Sequence, residues 1–307
     1  MRLDDYRFSD NVEDQRGQNF GGGGFGGGGG MFGLLFGLVL SRFGIGGALI
    51  LLLGYCALST FGGGSGTGTG GYAPQQQASG QSGTGKAVAG TGPAACRVDD
   101  ISAFSCRVLA LTEDTWSRIF QERGETYRAP GFVFYAGTGQ SGCGVAQSAM
   151  GPFYCPTDNR IFLDTSFFDE LHRRFGAAGD FAQAYVIAHE VGHHIQFLTG
   201  TLEQANREQR RLSAAQGNQV QVRVELQADC YAGVWAGRNR ERLEPGDIEE
   251  GMRAAEAIGD DTLQRRSQGR VAPESFTHGT SAQRMAWLRR GIETADPRAC
   301  DTFSGAV

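Results

Sequence analysis

The chain divides by its pattern of hydrophobic and polar positions before any single residue stands out. Residues 1–19 are polar and charged, and 21–30 are glycine broken only by Phe25. Neither stretch spaces apolar residues to build a core, so 1–30 is expected to be a disordered, Gly-rich segment. Residues 31–61 are strongly apolar apart from Arg42, and the run from Phe43 to Phe61 is just long enough for one membrane crossing. A cleaved signal peptide fits poorly, because the lead is long, acid-rich and separated from the apolar run by glycines. A buried core helix fits poorly too, since Gly-rich chain flanks the run on both sides. Residues 62–92, rich in Gly, Ser, Thr and Gln, read as a flexible tether. Residues 93–307 carry the patterns of a folded domain and are numerous enough to bury one core.

Within that domain Ile101, Phe104, Val108, Leu111, Trp116, Ile119 and Phe120 recur at broadly helical spacing, predicting one helix or two over 99–123. The runs 131–135 and 160–164 are aromatic and β-branched and lie between Gly, Pro or Asp, which predicts strands. Residues 164–174 are amphipathic, and His172 among them is read as a surface or packed histidine. An apolar helix-compatible lead-in spans 181–187. Residues 203–214 predict a solvated helix, 220–235 a further helix, and Asp247 can cap one running to Ala257. The stretch 260–270 is expected to return to the surface. The expected fold class is α+β, a mainly helical domain with a small sheet, preceded by one transmembrane helix.

The helical lead-in runs into Ala188-His189-Glu190-Val191-Gly192-His193-His194. His189 and His193 fall one turn apart on one helix face, and two imidazoles so placed can bind one zinc ion. Glu190 is then positioned to take a proton from the attacking water. A zinc hydrolase needs a third protein ligand and leaves a fourth position open. Glu225 and Asp229 share one face of the later helix; Glu225 is the expected third ligand. Asp229 is expected to accept the far ring N–H of His189 and fix its tautomer. The competing interpretation is a structural site closed by a fourth protein ligand, for which His194 and Asp229 are the local candidates. Glu190 argues against it, because a structural site has no use for a base. His194 lies about a hundred degrees round the helix from His193 and is better placed for packing.

Charge and cysteines add constraints. A net charge of −5 gives no basic footprint, so no nucleic-acid partner is expected. Arg2, Arg7, Arg16 and Arg42 precede the final apolar stretch, whereas Lys86 alone lies between it and Cys96. That bias predicts a cytoplasmic N-terminus with the domain outside. Cys96, Cys106, Cys143, Cys155, Cys230 and Cys300 fall in the domain, an even number that suits disulfides outside the cytoplasm. Short separations favour Cys96 with Cys106 and Cys143 with Cys155, leaving Cys230 for Cys300. The other pairings, or six free thiols in a reducing compartment, remain open.

The start 1–7, the glycine tract, residues 151–156, the His189 motif, 225–229 and 278–284 together make the chain from Met1 to Cys300 resemble the neutral zinc metallopeptidases, a mainly bacterial group with one N-terminal membrane segment. The resemblance implies one zinc ion held by His189, His193 and Glu225, with Glu190 as general base. It also implies a zincin-like, gluzincin-type core and a peptide or protein substrate. The implied location is the bacterial inner membrane, single-pass, with the catalytic domain on the periplasmic side. The segment from His278 to Arg284 is similar to one that follows the third ligand in some membrane gluzincins, although Gly279 stands where those have proline. His278 is thus an expected catalytic donor to the gem-diolate and Arg284 a supporting group; the alternative is a capping or surface loop in which Arg284 pairs with an acid. A strand beside the metal often receives the substrate backbone in such proteases, and 160–164 is the candidate for it, the alternative being an ordinary core strand.

Overall fold

The computed structural model describes residues 1–18, 90–176, 179–305 and 307. The expected membrane segment 31–61 and nearly all of the tether 62–92 lie outside the described residues. Among those described, no helix is long and apolar enough to cross a membrane.

The protein is mainly helical with two small sheets, as the α+β expectation has it. A strand β1 (Val12–Asp14) precedes a long helix α1 (Asp100–Gln121). Strand β2 (Gly131–Tyr135), the hairpin β3 (Thr138–Ser141) and β4 (Gly144–Gln147), β5 (Phe153–Cys155) and β6 (Arg160–Asp164) follow. The rest is helical: α2 (Ser166–Phe175), α3 (Asp180–Leu198), α4 (Thr201–Gln209), α5 (Ala214–Arg238), α6 (Asp247–Ala257), α7 (Asp260–Gln268) and α8 (Ser281–Thr294). The main sheet has the order β1-β2-β6-β5, with β1, β2 and β6 parallel and β5 antiparallel to β6.

One expectation is corrected at the chain's start. Residues 1–18, read from composition as part of a disordered segment, are folded onto the domain. Leu3 and Val12 are buried, and β1 pairs in parallel with β2, Val12 opposite Phe132. Arg7 pairs with Glu113 and Asp114 at 3.0 and 2.6 Å. Arg16 pairs with Asp14 and Asp99, each at 2.7 Å. A polar segment can be ordered when a distant surface offers partners for its charges and a sheet edge for its backbone, and composition registers neither. Of the two readings of 160–164, substrate-receiving strand or ordinary core strand, the fold takes the second: β6 lies inside the sheet, paired with β2 along its length and with β5 over Arg160–Phe162. The free edge on that side of the sheet is β5.

Helix ends explain where the domain turns. Asp99 caps α1 by accepting the Ser102 N–H at 2.7 Å. Ser213 with Gln216, and Thr280 with Gln283, form capping boxes that start α5 and α8. Helix α3 is buried on nearly every face, the pattern of a central helix. Two close crossings set the helices against one another. A Cβ on Gly192 of α3 would lie 2.9 Å from the Ala228 backbone of α5. A Cβ on Gly291 of α8 would lie 2.0 Å from the Cys230 carbonyl. Glycine at these two points lets backbones touch, and the first brings Glu225 and Asp229 opposite His189 and His193.

Disulfides join Cys96 to Cys106, Cys143 to Cys155 and Cys230 to Cys300. These are the pairs that sequence separation favoured. The third ties α5 to the C-terminal turn, one residue beyond Asp229.

Candidate metal centre

His189 and His193 project from α3 with ring centroids 4.8 Å apart and planes at 87°. Glu225 reaches them from α5, its Oε2 lying 3.3 Å from His189 Nε2 and 3.6 Å from His193 Nε2. Donors about 2.0–2.2 Å from a tetrahedral zinc ion stand roughly 3.3–3.6 Å from each other, so this donor set fits that ion. One ligand atom from each of the three residues falls within 4.8 Å of the others, and among the described residues this triad contains no fourth protein donor.

Each donor is aimed by a neighbour. His189 Nδ1 lies 2.8 Å from Asp229 Oδ1, which makes it the N–H donor and leaves Nε2 its lone pair. Asp229 also accepts the Tyr185 hydroxyl at 2.6 Å and two Arg284 N–H groups, at 2.8 and 2.9 Å. His193 Nδ1 lies 2.9 Å from Gln196 Oε1, and Gln196 Nε2 donates to the Val224 carbonyl at 2.7 Å. Gln221 donates to Glu225 Oε1 at 2.9 Å, leaving Oε2 to face the histidines.

The electrostatics favour a cation at the centre. Burial alone would raise the Asp229 pKa, but the Arg284 guanidinium and His189 hold it down at about 2. Glu225 is likewise held well below the carboxylate range by His193 and His189 despite its burial. Burial opposes a charged His193, yet the Glu225 carboxylate raises its pKa to about 9. A divalent ion held there would take the place of the His193 proton.

Glu190 is buried beside this cluster, and its charge acts on His193. Its side chain makes no hydrogen bond to another described residue. His278 sits in the loop before α8, its Nδ1 3.2 Å from Asp260 Oδ1. The other Asp260 oxygen accepts the backbone N–H groups of Thr277, His278 and Gly279 at 2.7, 2.6 and 3.1 Å. Burial lowers the His278 pKa, but Asp260 and Glu225 raise it above the ordinary imidazole value. The loop is thus pinned onto a buried acid rather than left at the surface.

Neither candidate for a closing fourth ligand is available. His194 turns away from the centre, its Nε2 donating to the Arg128 carbonyl at 2.6 Å and its Nδ1 lying 3.0 Å from the Tyr154 hydroxyl. Asp229 is engaged by His189, Tyr185 and Arg284. His172 is exposed on α2, as its amphipathic setting implied.

Sequence reasoning missed Tyr185, Gln196, Gln221 and Asp260. Three of these had a signal, because Tyr185 lies four residues before His189, Gln196 three after His193 and Gln221 four before Glu225, each on the same helix face. Asp260 had none, being brought to His278 only by the docking of α7 against the loop.

A family model described as "Putative neutral zinc metallopeptidase" matches residues 1–303. "Uncharacterized protein YpfJ" of Escherichia coli (strain K12) is 44% identical over 313 residues, covering all of both chains. "Uncharacterized protein Rv2575" of Mycobacterium tuberculosis (strain ATCC 25618 / H37Rv) is 44% identical over 214 residues, 66% of this chain and 71% of its own. No solved structure matches. With a zinc-type donor triad and a family match that runs almost from end to end, the chain belongs to the neutral zinc metallopeptidase family.

Proposed function

We propose that the protein is a zinc-dependent endopeptidase in which His189, His193 and Glu225 hold one ion. When bound there, zinc supplies Lewis-acid polarisation of the scissile carbonyl and acidifies the attacking water. Glu190 takes the proton of that water and delivers it to the departing amine. His278 donates an N–H to the gem-diolate oxygen, with Asp260 holding its ring in orientation. Arg284 supports the centre through Asp229 and Tyr185, and its guanidinium also lies 3.4 Å from His189 Nδ1. The observation that carries this reading is the three-donor set with no fourth protein donor beside an unpaired, buried Glu190. A structural zinc site is closed, and a carboxylate left free of protein partners beside the triad is placed to act on a bound water.

An extended peptide substrate would lie along β5, the outer strand next to α3, forming backbone hydrogen bonds with it. Tyr154 of β5 packs edge-on against His194 of α3, with ring centroids 5.4 Å apart, which couples that strand to the metal helix. Three disulfides support an oxidising compartment, so the domain is assigned to the extracytoplasmic side of the bacterial cytoplasmic membrane, with 31–61 as its membrane attachment. The test is the Glu190→Gln variant of the purified protein, with zinc content and peptide hydrolysis measured together. Retained zinc with hydrolysis lost is the expected result, and full activity in that variant would sink the mechanism.

A further inference from the structure

The strap formed by residues 1–18 determines where the chain leaves the domain and where it comes back. The Asp14 N–H donates to the Gly90 carbonyl at 2.9 Å, and Glu13 forms an antiparallel bridge with Thr91. The described chain therefore stops at residue 18 and resumes at residue 90 on the same stretch of the domain, and the apolar run 31–61 falls between these two points in the sequence. A single crossing between those points would separate the two ends by the hydrocarbon thickness of a bilayer, about 30 Å.

The strap is held by more than one kind of contact. Leu3 is 2% exposed and Val12 4%, and three residues of β1 continue the main sheet. The Met1 ammonium lies 2.8 to 3.3 Å from carboxylate oxygens of Asp180, Glu244 and Asp247. Asp180 is the first residue of α3, so the strap touches the helix that carries both histidines.

The arginines that pointed to a cytoplasmic N-terminus have a different job in this fold. Arg2 donates to the Glu241 carbonyl at 2.5 Å. Arg7 and Arg16 are taken up by the acids of α1 and of its N-cap. Of the four basic residues before the final apolar stretch, only Arg42 falls outside the described residues. A retention signal counts basic residues beside a membrane segment, and three of these four are accounted for by partners in the protein.

We infer that residues 1–18 and the domain from Gly90 onward fold as one body on one side of the membrane, so that the chain between them leaves from and returns to that same side. The single-pass arrangement expected from the sequence, with the N-terminus and the domain on opposite sides, is incompatible with this body. The inference rests on the proposed membrane placement only for which side is named.

The test uses the full chain in a Cys56→Ser background, with Asp4→Cys in one variant and Glu208→Cys in another; both positions are exposed. Spheroplasts receive a membrane-impermeant maleimide before or after lysis, and mass spectrometry reads each site. Reaction at both positions before lysis is the expected result. Protection of both until lysis would uphold the shared side while overturning the extracytoplasmic placement. Reaction of one with protection of the other would overturn the inference. Docking itself is tested with Glu13→Cys and Thr91→Cys together, because antiparallel bridge partners have Cα atoms about 4.5–5.5 Å apart, within disulfide reach. Mild oxidation of the purified protein should join them, and absence of the bond would show that the strap does not dock.

Discussion

The most informative single perturbation is Arg284→Met, which keeps much of the side-chain volume and removes every guanidinium donor. Arg284 is 2% exposed and Asp229 fully buried, and the guanidinium makes two of the hydrogen bonds that Asp229 accepts. Removing one member of a buried pair leaves an uncompensated charge and costs about 3–5 kcal/mol. For a folded part of this size each kcal/mol lowers Tm by roughly 2–4 °C, so the expected fall is on the order of 6–20 °C. Denaturant unfolding of chelator-treated protein measures this cost apart from any loss of zinc. The double variant Arg284→Met, Asp229→Asn removes both charges and should recover about 1–3 kcal/mol relative to the sum of the single variants. The pH dependence carries a sign as well. With its pKa held at about 2, below the ordinary 3.8, Asp229 contributes stability that is full above the ordinary value and lost as pH falls through 2. In Arg284→Met that window should move upward, because the carboxyl then takes its proton more readily. A cost under about 1 kcal/mol, or no recovery in the double variant, would refute the dependence of Asp229 on Arg284.

Replacing His278 by Ala should lower kcat by roughly ten- to a thousandfold with zinc content unchanged; loss of zinc would make it a ligand, and normal turnover would remove it from the reaction. Burial pushes the His194 pKa down to about 4, against the Arg128 carbonyl, which favours the protonated ring. The unfolded chain therefore binds that proton first, so stability should be full above about pH 6.5 and fall by on the order of 3 kcal/mol towards pH 4. Unfolding midpoints across that range should show a flatter profile for His194→Gln, and an unchanged profile would refute the assignment. Removing the Cys230–Cys300 bond, whose cysteines lie 70 residues apart, with a Cys230→Ser, Cys300→Ser double variant should cost about 4 kcal/mol in denaturant unfolding; no change would mean the bond does not form in solution.

The sequence by itself determined whatever depends on neighbours a few residues apart. Helical spacing put His189 with His193, and Glu225 with Asp229, and it left Glu190 beside the first pair. The long helices were legible because their apolar positions repeat with the turn of the helix. The two short disulfides were legible from small separations, and the third followed from them. The tertiary structure decided what depends on surfaces meeting. Gly192 against Ala228 brings α3 and α5 close enough for three donors to share one ion, and nothing in either helix alone announces that approach. Asp260 reaches His278 because two separate elements dock, and β5 rather than β6 has the free edge because strand order is a property of the whole sheet. The largest difference lies at residues 1–18, whose composition reads as unfolded. Their arginines and backbone find partners far along the chain, and a contact of that kind leaves no periodicity in the segment that makes it.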